Sequence, residues 1–417
     1  MRISRRGFLS HAGAAGAGLL VHPPPGSARQ TVDTRPLAAR FPDLHRHFIF
    51  EYYAWYGVEP WVHWNEAGRH PPIDISSNYM PALGPYDSRS TAVIEQHARW
   101  IKQAGAGAIN LSWWGRERMP DRVVHELMDV MAAHDIHVTF HIEPYGRRRA
   151  ADLARDVEFL IREFGNRRRW DCLLLLANAD GTVGPLFKTY GTIEGPESID
   201  CHGNRRPIPD WVRDDVWREQ TARVRDTFRR DFDHITLLAD SSAVDRLKAA
   251  GFDGMAIYDN FVEPDTWPVH ARNFTGGDLL FSFNVNAGFD GIVARGPTDD
   301  CYRPPPFMPG RGSYDWTRRQ DRDAAHRAGL DRIAESFART IDVQTDTRFI
   351  NARRGFFVAY INSFNEWHEG TQFEPVRPRD ALSRDELAIG YHNHENGTLR
   401  LEQLRTLLVA EIQGQKR

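Results

Sequence analysis

Cysteine is scarce here. Three residues in 417, Cys172, Cys201 and Cys301, are too few for a disulfide scaffold and form no Cys-x-x-Cys pair of the kind that holds structural zinc. An apolar run of about 18 residues is also missing, which excludes a polytopic membrane protein. The mean hydropathy of −0.53 agrees. Neither charge sign is in excess: 53 Lys+Arg face 56 Asp+Glu, for a formal net charge of −3. Phosphate backbones need a concentrated basic face, so nucleic acid is not an expected partner. The basic runs Arg147-Arg148-Arg149 and Arg167-Arg168-Arg169 read as solvated loop and helix-end faces. There is no His-Glu-x-x-His, no Gly-x-Ser-x-Gly elbow and no phosphate loop. No metal and no cofactor is expected.

Aromatic residues, by contrast, are plentiful: 12 Trp, 12 Tyr and 23 Phe. Rings make good floors for sugars, although large cores collect them too. The first residues read as an address. Ser4-Arg5-Arg6-Gly7-Phe8-Leu9 precedes a short apolar stretch from Ala12 to Val21, and Gly26-Ser27-Ala28 offers a small-residue cleavage site. The expected organisation is a twin-arginine signal peptide over 1–28, a linker over 29–46 and a catalytic domain over 47–417. The mature chain is expected in the periplasm or secreted, and as a monomer. An odd number of cysteines cannot pair completely. Cys172 opens an apolar run and reads as a buried thiol; Cys201 and Cys301 sit in Gly/Pro/Asp-rich loops, which leaves their pairing open.

From residue 48 onward, apolar strands alternate with amphipathic helices. Strands are expected at 48–53, 108–111, 136–142, 186–190, 234–239, 254–258, 279–285 and 355–361. Helices are expected over 121–133, 150–165, 209–230, 243–250 and 398–413. Another runs from an N-cap at Ser90 to a stop at Gly105, and Leu330, Ile333, Phe337 and Ile341 line one face of a further helix. Eight such units without a linker predict an α/β fold, a (β/α)₈ TIM barrel with long loops. The runner-up is a doubly wound open sheet, weakened because no Gly-x-Gly-x-x-Gly follows the first strand.

In a barrel, active sites lie past the C-terminal ends of the strands. Those ends here read Tyr52-Tyr53-Ala54-Trp55-Tyr56, Ser112-Trp113-Trp114, His141-Ile142-Glu143-Pro144, Tyr258-Asp259-Asn260 and Asn362 to Glu369. Carboxylates set among aromatics are a carbohydrate-site composition. Glu366 and Glu369 stand three residues apart after the last strand. Two carboxyls in one pocket push each other's pKa apart, so one can serve as acid while the other stays ionised. Glycosidic cleavage needs that division of labour. Two solvated glutamates at a helix start would read the same way. His141 and Glu143 share one face of their strand, where Glu143 could hold sugar hydroxyls or pair with an arginine.

The block Ser363-Phe364-Asn365-Glu366-Trp367-His368-Glu369-Gly370-Thr371-Gln372-Phe373-Glu374-Pro375 resembles the signature of glycoside hydrolase family 99, the endo-α-mannosidases and α-mannanases. The resemblance continues through Tyr52 to Gly57, His63-Trp64, Leu83 to Ser88, Ser112 to Gly115, His141 to Tyr145, Gly251 to Gly254 and Tyr391 to Asn393. It implies a retaining barrel enzyme that cuts α-1,2-type mannosidic linkages through a 1,2-anhydro sugar. By it, Glu366 takes the proton of the sugar 2-hydroxyl, and Glu369 protonates the leaving oxygen and later activates water. Tyr53, His63, Trp114, His141, Glu143, Tyr258 and Trp367 would bind an oligosaccharide or polysaccharide. The stretch Val58 to Val62 is shorter than the family pattern, and 194–210 and Pro304-Pro305-Pro306 have no counterpart in it. Two other readings stay open: a related hydrolase of another α-linked polysaccharide, and a non-catalytic glycan-binding protein.

Overall fold

A computed structural model describes residues 33–145, 150–165, 171–258, 260–310 and 314–414. The twin-arginine segment, both arginine runs and Asp259 lie outside the described residues. Nine parallel strands build one sheet: β1 (Phe48–Tyr52), β2 (Ala108–Trp113), β3 (His137–Ile142), β4 (Val183–Thr189), β5 (Thr236–Ala239), β6 (Gly254–Ala256), β7 (Leu280–Ser282), β8 (Asn284–Asn286) and β9 (Ala359–Asn362). In space they run β7-β6-β5-β4-β3-β2-β1-β9-β8. Only Phe283 separates β7 from β8. Leu280 pairs with Gly254 on one side, and Asn284 pairs with Tyr360 on the other. The two ends of the path are therefore halves of one stave, and eight staves close a barrel. The single expected strand over 279–285 is this broken stave.

Side chains alternate across each strand, so every stave has a face towards the axis and a face towards the helices. On β1 the outward Tyr52 hydroxyl meets His97, on the helix Thr91–Ala104, at 2.9 Å. On β2, outward Trp113 donates its indole N–H to Asp121 at the head of the helix Met119–Ala133. The inward set is polar and fully buried: Glu51, Asn110, Thr139, His141 and Lys188. Outside the staves, apolar residues recurring at helical spacing fill the shell, as Ile94, Ala98 and Ile101 do on the first long helix. That helix ends where expected, at Gly105 with φ 90°. Ser90 stands at its N-cap, without a side-chain capping bond.

One part of the chain differs from expectation. Leu37, Phe41 and Leu44, inside the stretch read as a linker, are buried in the core. Three large apolar side chains at this spacing bury too much surface to remain a tether. Leu175–Ala177 pairs antiparallel with Val183–Thr189, so it forms a hairpin lead-in and not a stave. Cys172 is a buried thiol that donates to the Met128 carbonyl at 3.3 Å, and Cys201 bonds Cys301 across 100 residues with Cα atoms 5.5 Å apart. Both disulfide partners ride on loops past the C-terminal ends of staves, after β4 and β8. Closing so long a loop constrains the unfolded chain. The Cys201→Ser/Cys301→Ser double variant should lose about 2–4 kcal/mol, read as a lower urea midpoint. An unchanged midpoint would contradict that.

Candidate active site

Past β9 the chain folds back on itself. The Ser363 N–H donates to the Thr371 carbonyl, and the Phe373 N–H donates to the Ser363 carbonyl. The Glu366 N–H is taken by Ser363 Oγ at 2.8 Å. Gly370 holds φ 64°, and a Cβ there would lie 2.5 Å from the Asp290 carbonyl oxygen. Only glycine meets both demands. Asn365 then clamps the loop to the end of β1: it accepts from the Tyr53 N–H and donates to the Tyr53 carbonyl, each at 2.8 Å. The Trp367 N–H donates to the Tyr56 hydroxyl, and its indole to the Tyr86 hydroxyl at 3.1 Å. Tyr86 in turn donates to Glu374, whose other oxygen lies 3.3 Å from His97. The loop bearing Glu366 and Glu369 thus stands on a buried polar lattice.

Glu366 is 1% exposed, and its Oε1 lies 3.2 Å from His368 Nδ1. The other ring nitrogen of His368 faces the His63 carbonyl at 2.6 Å. A carbonyl only accepts, so Nε2 carries a hydrogen. Nδ1 can then donate to an ionised Glu366 only as imidazolium. Burial alone would lower the His368 pKa, but the hydrogen bond and charge of Glu366 outweigh it and hold it raised.

Across the barrel mouth, Glu143 follows β3, buried, and accepts from Ser112 Oγ at 2.8 Å. Ser112 itself accepts from the Trp114 indole at 3.0 Å, which fixes that ring at the rim. His141 Nδ1 lies 3.2 Å from Glu51 and 4.0 Å from Glu143. Its Nε2 is sealed from solvent with no hydrogen-bond partner among the described residues. Below, Lys188 Nζ sits 2.6 Å from Glu51, and Asn110 donates to the same carboxylate at 2.9 Å.

Tyr258 projects past β6 and donates its hydroxyl to Glu369 at 3.2 Å. Its ring lies against His141 and Tyr190, with centroids 6.1 and 6.0 Å away. The opposite wall is aromatic: Trp55 packs on Tyr53, stacks on His63 at 4.6 Å and approaches Trp114 at 6.1 Å. A hydrogen bond to a carboxylate is stronger than a neutral one. Tyr258→Phe should therefore lower kcat by roughly tenfold, with KM little changed. Steady-state kinetics at fixed pH check this, and an unaltered kcat would remove Tyr258 from the acid's surroundings.

Glu366, Glu369, Glu143, His141, Tyr258, Tyr53, Trp114 and His63 all gather at this one end of the barrel. Trp367, expected to bind substrate, does not line the opening. It is fully buried, because its indole is spent on Tyr86 and its ring packs towards Trp64. Sequence reasoning passed over Trp55, His368 and the charged pair beneath the floor, Glu51 and Lys188. A lone acid in Phe-Ile-Phe-Glu-Tyr and a lone base in Leu-Phe-Lys-Thr were the available signals. His63, Glu66 and His368 bring ligand atoms within 4.8 Å of one another, yet both nitrogens of His368 are already engaged.

The model of Glycosyl hydrolase family 99 matches residues 43–173. The chain is 28% identical over 400 residues to the glycoprotein endo-alpha-1,2-mannosidase of Rattus norvegicus, covering 87% of this chain and 74% of the relative. It is 27% identical to the glycoprotein endo-alpha-1,2-mannosidase-like protein of Danio rerio, covering 85% and 75%. In three dimensions it resembles the GH99 endo-alpha-mannosidase of Bacteroides thetaiotaomicron, with a TM-score of 0.62, 20% identity, and 89% and 99% of the two chains covered. A closed parallel barrel, carboxylates and aromatics at the C-terminal ends of its staves, and these likenesses agree: the chain is similar to glycosyl hydrolase family 99 and is a glycosidase.

Proposed function

We propose that this glycosidase is an endo-acting, retaining hydrolase of α-mannosidic linkages of the α-1,2 type, working through a 1,2-anhydro sugar. The observation that carries the reading is the pair of glutamates on the one loop after β9, each with its own proton-handling partner. A 2-hydroxyl is a poor acid, so a carboxylate inside hydrogen-bond reach must take its proton. Glu366 is buried with its Oε1 3.2 Å from His368 Nδ1, a placement that suits that base. As the freed oxygen attacks C1, the glycosidic bond breaks and Glu369 gives its proton to the departing oxygen. Glu369 then takes a proton from water, the water oxygen bonds C1 as the C1–O2 bond of the anhydro ring breaks, and the released O2 recovers its proton from Glu366. Tyr258 orients Glu369 throughout. Glu143 supplies an acceptor for the hydroxyls of the reacting sugar, with the His141 ring buried beside it. Trp55 and Trp114 offer faces for the neighbouring units.

Export belongs to the same reading. The twin-arginine stretch supports it, and so does the Cys201–Cys301 bond, since disulfides persist in oxidising compartments. A monomer is the proposed working state. A second reading has its own observation: the disulfide joins the unfamiliar loop after β4 to the long loop after β8, and Val58 to Val62 is short. Such loops shape subsites, which favours a different α-linked glycan with the same chemistry.

The test is to incubate the mature protein with α-1,2-linked mannan and a panel of other α-glycans, following products by NMR. Mannobiose or longer fragments released first as the α-anomer support the proposal. Cleavage of another glycan alone replaces the substrate and keeps the chemistry. First release of the β-anomer overturns the retaining mechanism.

A further inference from the structure

We propose that the opposite end of the barrel holds a second binding site, built around Arg40, for a small molecule bearing an oxyanion such as phosphate. A cleft of about 510 Å³ opens there, beneath the N-terminal ends of β5, β6, β7 and β9, whose first or preceding residues Thr236, Asp253, Leu280 and Phe356 line it. That volume is in the range of small-molecule sites. Four arginines among the described residues are more than nine-tenths buried: Arg40, Arg69, Arg322 and Arg332. Three of them have carboxylates: Asp74 for Arg69, Glu395 for Arg322 and Glu263 for Arg332. Arg40, 5% exposed, has neither a carboxylate nor a hydrogen-bond partner among the described residues, and its Nε is sealed from solvent.

A guanidinium cannot shed its proton, and a buried charge without a partner is destabilising. The cleft's own acids do not meet the need. Asp33 is held in a fork by Arg35, Asp253 by Arg225, and Asp180 by the N–H and hydroxyl of Thr182. Arg353 adds a second cation whose one side-chain hydrogen bond among the described residues runs from Nε to the Thr347 carbonyl. His234 Nε2 is also sealed there without a hydrogen-bond partner among the described residues. Among the described residues, two guanidiniums without an ion-paired carboxylate stand against one Asp180 carboxylate without an ion-paired cation, which leaves the cleft net positive. The fork of a guanidinium matches the spacing of oxygens on a tetrahedral or planar oxyanion. The cleft is roomier than the bare ion needs, so the group is carried on a small molecule such as a sugar phosphate.

Calorimetry on the full chain would use two probes, inorganic phosphate and glucose 6-phosphate. Binding of either supports the site. Equal affinity for both assigns the free ion, and tighter binding of the ester assigns a monoester. Arg40→Gln should weaken binding roughly ten- to a hundredfold. It should leave glycan hydrolysis unchanged and the thermal midpoint equal or higher, since an unpaired buried charge is gone. Arg353→Gln, at an exposed helix end, gives an independent loss, and Asp180→Asn should tighten binding by removing the opposing charge. No heat with either probe, or parental affinity in both arginine variants, overturns the proposal.

Discussion

Glu369→Gln should leave the barrel standing and reduce glycan turnover by about two to four orders of magnitude, the size of a general acid–base contribution. The amide keeps the shape of the carboxylate and its contact with Tyr258, but it neither gives nor takes a proton. Glu366→Gln should fall by a similar factor, because a neutral amide cannot abstract the 2-hydroxyl proton and leaves the His368 cation facing no charge. The two losses should not add in the double variant, since both residues serve one event. The check is initial rates on the cleaved glycan together with circular dichroism and thermal midpoints. A Glu369→Gln protein that turns over at the parental rate would sink the assignment. One that is inactive because it is unfolded would be recognised by its lost midpoint.

Lys188→Met is expected to cost about 3–5 kcal/mol of stability, because it strands Glu51 inside the barrel without its cation. That is a large fraction of what holds a domain together. Lys188 Nζ and Glu51 are wholly buried at 2.6 Å, and the ammonium also sits over the Tyr360 ring at 4.8 Å. Burial pushes the Glu51 pKa up, yet Lys188 and then His141 overcome it and bring it from 4.5 to about 2. A carboxylate lowered in the folded state stabilises above its ordinary pKa. That stabilisation drains away as pH falls from about 4.5 towards about 2. Lys188→Met should therefore move the acid-unfolding midpoint upward. Adding Glu51→Gln should restore much of the loss, since removing both partners leaves no orphaned charge. Urea titrations at neutral pH and acid titrations of the three variants decide the matter. A single variant within 1 kcal/mol of the parent would show that the pair contributes nothing.

The reading from sequence and the structure part company at instructive places. Staves and helices were legible because their apolar residues recur at periods of 2 and 3.6, and Gly105 stops its helix as glycine does. The break at Phe283 left no mark in an apolar run, since it depends on which neighbour each half of the stave pairs with. The short helix Trp267–Gly276 also went unread; it opens with proline and carries few apolar positions. At the mouth, Glu366, Glu369, Glu143 and Tyr258 were legible because they follow strands directly. The inward direction of Trp367 was not legible, because adjacency in sequence does not fix direction: the chain turns between Glu366 and Glu369 and buries the indole. Glu51 and Lys188 were passed over because 137 positions separate them, and only barrel closure brings them together.

The clamp between Tyr53 and Asn365 joins positions 312 apart in the chain. Its neighbours are as remote: Ile75 takes its partner from Tyr391, and Met80 from Asn393. A ribosome lays down the aromatic wall early and the two glutamates almost last, so the polypeptide passes most of its synthesis with half a site. A product terminated before the loop that follows β9 lacks both glutamates, so hydrolytic competence certifies that the message has been read through the last stave and the loop beyond it.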